Sequence, residues 1–223
     1  MIAKFNTFKE KHPFTTLLAI AIAIRIVVII CVGGYGSNAS PDQSVTAHLT
    51  NFLRRWITGI TNCPKCEMFI SRLLYSAVSL ITVSLFYRIV DLLSNKHNAF
   101  TIALVPAFCC IMPTFGVINN VDVFLSIIFI LYGGLLILRQ ETLRKAQFNE
   151  NLHRSSFAVA GFAFGLAFFL WTNSIFFLIS LILILFGRNN PKSGLVTLAG
   201  AVTAIVLMGV LNYLITGTFN FIV

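Results

Sequence analysis

Ser40-Pro41-Asp42-Gln43-Ser44-Val45-Thr46-Ala47-His48-Leu49-Thr50-Asn51-Phe52-Leu53-Arg54-Arg55-Trp56 is a polar island between two long apolar runs, and its reading decides how the chain is placed. As a helix it begins well. Ser40 is a natural N-cap, Pro41 suits the first helical position, and Asp42 falls in the first turn, where the helix dipole favours a carboxylate. Val45, Leu49, Phe52, Leu53 and Trp56 recur at helical spacing and form one apolar face. Arg54, Arg55 and Trp56 close the segment with residue types that sit at a lipid headgroup boundary. The pattern predicts a helix lying on a membrane. Asp42, the strongest candidate for a catalytic carboxylate, stands at its open end.

Outside this island the chain is scaffold. Apolar residues make up 57% of the 223 positions and charged residues only 10%, more apolar surface than a soluble domain of this length needs. The chain therefore reads as an all-α polytopic membrane protein with a single membrane domain over 1–223. A net charge of +9 would point to nucleic acid in a soluble protein. Here the basic residues gather in short loops between apolar runs, as the positive-inside rule expects, so no nucleic acid partner is predicted. No small-residue cleavage site follows the first apolar run, which is taken as a retained span and not a signal peptide.

Seven apolar segments follow in order: Phe14 to Gly33, Met68 to Val90, Ala99 to Met112, Val121 to Leu138, Phe157 to Trp171, Ser174 to Phe186, and Leu195 to Thr216. Several fall short of the ~20 residues of a perpendicular span, so tilt or flanking polar residues must complete them. The fifth and sixth are separated only by Thr172-Asn173 and predict a tight helical hairpin. With the N-terminus cytoplasmic, that side collects Lys4, Lys9, Lys11, Arg88, Lys96, Arg139, Arg144, Lys145, Arg154, Arg188 and Lys192, and the other only Arg54, Arg55, Lys65 and Arg72. Eleven against four places the first loop (about 35–67), Asp122 and the C-terminus outside the cytoplasm. The cytoplasmic stretch Arg139 to Ser156 is mixed-charge and amphipathic, and is expected to be solvated.

Of the five cysteines, only Cys63-Pro-Lys-Cys66 has a suggestive spacing. It is open to half a zinc site, a redox pair, a local disulfide or two ordinary thiols. No second CxxC or nearby histidine completes a zinc set.

Arg25 within the first span, followed by Pro41-Asp42 beyond it, resembles the start of the polytopic GT-C glycosyltransferases, above all the dolichyl-phosphate-mannose protein mannosyltransferase-like group and its bacterial relatives. Arg72-Leu73-Leu74-Tyr75-Ser76-Ala77-Val78-Ser79-Leu80-Ile81-Thr82-Val83 resembles the second span there. Asn119-Asn120-Val121-Asp122-Val123-Phe124 resembles the acidic motif opening the fourth. Gly161-Phe162-Ala163-Phe164-Gly165-Leu166-Ala167 resembles the glycine-rich fifth span, and Asn212-Tyr213-Leu214-Ile215-Thr216-Gly217-Thr218-Phe219 the segment after the seventh. Many members carry a lysine near the fifth–sixth hairpin, where this chain has Trp171-Thr172-Asn173. Members usually continue for several more spans, so the chain resembles the shared N-terminal seven-span module.

The resemblance implies a membrane enzyme that moves a sugar from a polyprenyl-phosphate donor to an extracytoplasmic acceptor, with inversion at the anomeric centre. Such a reaction needs a carboxylate to accept the acceptor's proton and positive groups to stabilise the departing phosphate, at a site reachable by the donor's lipid tail. Asp42 is assigned as the base. Asp122 is a candidate to hold an acceptor group or a divalent metal, though no metal site is specified. Arg54, Arg55 and Arg72 are candidates for the lipid phosphate, because a guanidinium donates several hydrogen bonds without losing charge. Interfacial arginines also snorkel for no catalytic reason. His48 completes the substrate-binding set, but it lies six positions from Asp42, which is not one helical face, and an ordinary interfacial histidine is the plainer reading.

Arg25 is different in kind. An ionisable side chain within a span is costly and usually has a partner, and it is expected to be structural, near a helix end or paired with an acidic residue. The expected partners are membrane lipid, the lipid-linked sugar and a subunit supplying further spans. The alternative reading is a non-catalytic GT-C-like subunit that binds lipid-linked sugar or a partner protein. A transporter or flippase would need ionisable residues deep in several spans, and only Arg25 fits that description.

Overall fold

A computed structural model describes residues 10–32, 64–109, 121–147, 154–187 and 191–216. Among these residues the protein is helical throughout, with seven α-helices of 13 residues or more: α1 (Pro13–Val32), α2 (Pro64–Leu93), α3 (Lys96–Cys109), α4 (Val121–Gln147), α5 (Arg154–Leu170), α6 (Ile175–Gly187) and α7 (Pro191–Thr216). Four stretches are long and apolar enough to cross a membrane: Pro13–Cys31, Ser76–Leu93, Val123–Leu143 and Pro191–Leu214. The apolar helices at Asn98–Phe108, Arg154–Leu170 and Thr172–Gly187 are shorter. The chain is a helical membrane protein.

Three of the six prolines, Pro13, Pro64 and Pro191, are the first residues of their helices. A missing N–H costs nothing there, and the fixed φ starts the helix. Two boundaries differ from the sequence reading. α2 begins at Pro64, so the end of the expected outer loop, Pro64–Glu67, is helical. α4 continues past Leu138 to Gln147, so much of the expected solvated stretch Arg139–Ser156 is helix as well. Apolar composition marks the thickness of the bilayer, whereas Arg, Gln, Glu and Lys are good helix formers that carry a helix on into water.

The chain divides into two compact units, 1–121 and 122–223. In the first, α1 and α2 are antiparallel. Phe14 meets Tyr87 with ring centroids 5.2 Å apart, while Arg25, further along α1, bonds Ser79, earlier on α2. Ser94 and Asn95 then turn the chain into α3. Asn95 is the N-cap, its Oδ1 accepting the Asn98 N–H at 2.9 Å and its carbonyl accepting the Ala99 N–H at 2.9 Å. Replacing Asn95 by alanine is expected to lower stability by about 1 kcal/mol, read as a shift in the midpoint of a detergent-denaturation titration. The core uses small residues to bring helices close: Ala99, Ala103 and Ala107 at four-residue spacing on α3, with Leu17 and Ala21 on α1 and Val83 and Tyr87 on α2. Ile26, Val27 and Ile30 on the other side of α1 are exposed, as lipid-facing residues are.

The second unit is built on α5 and α7, whose backbones touch. Any Cβ on Gly161 would overlap the carbonyl of Thr197. One on Gly165 would meet the carbonyl of Ala201 and the methyl of Ala204, and one on Gly200 the carbonyl of Ala158. Gly161 and Gly165 are four apart on one face of α5, the small-xxx-small spacing that lets membrane helices approach without side chains between them. α6 connects the pair through the expected hairpin. Trp171 is extended (φ −150°, ψ 105°), and a single 3₁₀ turn at Thr172–Ser174 starts the return. α4 joins through Gly133, which lies under the Phe164 ring, and through a 3.0 Å bond from Gln140 Nε2 to Ser156 Oγ.

Candidate functional site

The chemically distinctive position among the described residues is Arg25. Leu17, Ala21, Arg25 and Ile29 form one buried row on α1, four residues apart, and Arg25 is only 2% exposed. Side chains on a helix lean toward its N-terminus, so the guanidinium reaches back along α1. Its Nη1 donates to the Ala21 carbonyl at 2.8 Å and to the Ala107 carbonyl of α3 at 3.3 Å. Nε donates to Ser79 Oγ of α2 at 2.7 Å, and that hydroxyl passes its own proton to the Ser76 carbonyl at 2.8 Å. One side chain thus bonds α1, α2 and α3 together.

These partners explain how the charge is tolerated. On insertion scales an arginine at a helix centre costs about 2.5–3.5 kcal/mol in a bilayer. Ala107 is two residues from the end of α3, where carbonyls lack partners within the helix and carry the negative end of its dipole. The same end is weakened by Pro106, which has no N–H to return to the carbonyl of Ile102. These three bonds all go to neutral acceptors on the bundle helices.

The antiparallel pairing of α1 with α2, and the two-residue turn to α3, place the end of α1, the start of α2 and the end of α3 at one end of the unit. Both ends of segment 33–63, which contains the polar island, are therefore attached there. Along the helix axes Arg25 lies about 10 Å from Val32, and Ser79 about 22 Å from Pro64. α2 thus extends some two turns beyond α1 on that side, and its apolar stretch begins only at Ser76.

The residues selected from the sequence fall as follows. Asp42, His48, Arg54 and Arg55, with the whole predicted interfacial helix Ser40–Trp56, lie outside the described residues. So does Cys63. Arg72 belongs to α2, in the part preceding the apolar stretch, and Asp122 is the second residue of α4, the first-turn position expected for it. Sequence reasoning singled out Arg25 but not Ser79 or the Ala107 carbonyl. The serine spacing Ser76-x-x-Ser79 was the available signal, and a backbone acceptor leaves none.

Four helices long and apolar enough to cross a membrane and a buried interhelical arginine define the class: a multi-helix membrane protein. No family model, curated protein or solved structure matches the chain.

Proposed function

We propose that the chain is a membrane glycosyltransferase of the GT-C type, or its N-terminal module, transferring a sugar from a polyprenyl-phosphate donor to an extracytoplasmic acceptor with inversion. The observation that carries the reading is the attachment of both ends of segment 33–63 to one end of the α1–α3 bundle. That arrangement suits an interfacial helix presenting Asp42 where a lipid-borne donor arrives. In this reading all seven helices span the membrane, the shorter ones tilted or completed by polar residues, with the N-terminus cytoplasmic and the first loop and C-terminus outside. Asp42 takes the proton of the acceptor hydroxyl as the new glycosidic bond forms. The bond from the anomeric carbon to the phosphate oxygen breaks, and Arg54, Arg55 or Arg72 holds the released phosphate. Asp122 orients the acceptor or holds a divalent metal, and His48 lies in the same polar segment.

A second reading, a subunit that binds lipid-linked sugar or a partner without turnover, is favoured by Trp171-Thr172-Asn173, near which many members of the resembled family carry a lysine. The purified full-length chain in lipid nanodiscs, offered polyprenyl-phosphate sugars of several kinds with and without a divalent cation, decides between them. The expected result is release or transfer of sugar from at least one donor. Saturable binding of a donor with no turnover supports the second reading.

A further inference from the structure

We propose that Arg25 is a positioning residue, which sets the geometry of the bundle end carrying segment 33–63. The argument begins with the hydrogen bonds. Nη1 bonds Ala107 in the last turn of α3, beyond the point where Pro106 has removed a rung of the helix ladder, so that turn is fastened from outside the helix. Nε bonds Ser79, tying in α2, to which segment 33–63 returns. Elsewhere the interior of the unit is mostly apolar, with Leu17, Ala21, Ala99 and Ala103 making contacts that fix distance but little direction, and the buried Thr16 and Thr82 hydroxyls bond carbonyls four residues back in the chain, not another helix. Near this end a planar guanidinium supplies direction, since its fork bonds only acceptors lying in its own plane. The opposite end has its own fastening in the Phe14–Tyr87 ring contact and the Asn95 cap. The two ends are thus held by different means, and removing Arg25 loosens one of them alone.

That Asp42 is what this end positions rests on the glycosyltransferase reading; the restraint itself does not. The test uses Arg25→Met, which keeps a long unbranched side chain and removes the charge, because replacing a buried charge by a well-packed apolar residue is often tolerated. Arg25→Lys keeps the charge but not the fork.

Spin labels on an unnatural ketone side chain, introduced at Ile30 and Val105 in one sample and at Thr15 and Leu93 in another, report the two ends of the full-length protein in nanodiscs. All four positions are exposed. The expected result is a broadened distance distribution for the 30–105 pair in both variants and an unchanged one for the 15–93 pair. An unchanged 30–105 distribution, or equal broadening at both ends, overturns the proposal. Where the chain turns over a donor, kcat is expected to fall at least tenfold in Arg25→Met with KM for the donor within about threefold. A loosened end with full turnover overturns the link to catalysis. If the parent chain turns over no donor, the glycosyltransferase reading fails while the distances still decide the role of Arg25.

Discussion

Leucine in place of Gly161 is expected to be the most damaging single change in the second unit, lowering stability by about 3–5 kcal/mol. The reason is geometric. A β-carbon at that position has nowhere to go, because the obstacle is the backbone carbonyl of Thr197 and not a side chain that can turn aside. α5 and α7 must separate, and with them go the contacts of Phe157, Ala160 and Phe164 with Leu178, Leu185 and Ala201. In a bilayer such contacts are most of what holds helices together, since lipid is as apolar as leucine and returns no hydrophobic gain. Gly165→Leu is expected to behave alike. Gly134→Leu is the internal control, with open space around the would-be β-carbon, and should stay within about 0.5 kcal/mol. Trp171 fluorescence in a Trp56→Phe background, followed through a detergent-denaturation titration, reads all three. Equal midpoints for Gly161→Leu and Gly134→Leu would mean that the helices do not touch as described.

Asp42→Asn is expected to reduce sugar transfer by about 10²–10⁴-fold in kcat, the usual share of a positioned general base. Each factor of ten corresponds to about 1.4 kcal/mol of lost transition-state stabilisation. Asparagine keeps the size and hydrogen-bonding reach of the side chain but cannot take a proton near neutral pH, so donor binding should survive. A fall in kcat with KM within about threefold is the signature, measured by single-turnover release of labelled sugar beside parent protein matched for folding and amount. Retention of full turnover would remove Asp42 from the mechanism and leave the other candidate carboxylate, Asp122, as the residue to change next.

How far the amino-acid sequence could be read depends on the kind of signal. Helices were legible because apolar composition and the Trp171–Asn173 break act locally. The ends of α2 and α4 were not, since a helix need not stop where the bilayer does. The buried side of α1 was obscure for a different reason. The helix is apolar all round, so no periodicity separates Leu17, which is buried, from Ile30, which is exposed. Arg25 was the visible clue to that face, because a charge in a span must turn inward. Two of its acceptors were beyond reach: one is a serine 54 residues away and the other a backbone carbonyl 82 residues away. The glycines of α5 could be seen as a pattern, but which helix they admit depends on Thr197 and Ala201, which are ordinary in sequence. Of the candidate catalytic set, Asp122 and Arg72 have a helical address in α4 and α2, and the assignment of Asp42 rests on the polar island and its resemblance.

The sequence separation between Arg25 and its acceptors has a consequence for biogenesis. At about 5–20 residues per second of synthesis, Ala107 is made roughly 4–16 seconds after Arg25. For that interval the bond from Arg25 to Ala107 cannot form, and α1 holds the guanidinium through its own Ala21 carbonyl. It is the most apolar of the four long spans, which offsets the charge while α1 waits. α2 and α3, joined by a two-residue turn, then supply the Ser79 hydroxyl and the Ala107 carbonyl. The long-range bonds of Arg25 thus need α2 and α3 to have been made, and the order of synthesis is built into where the arginine sits.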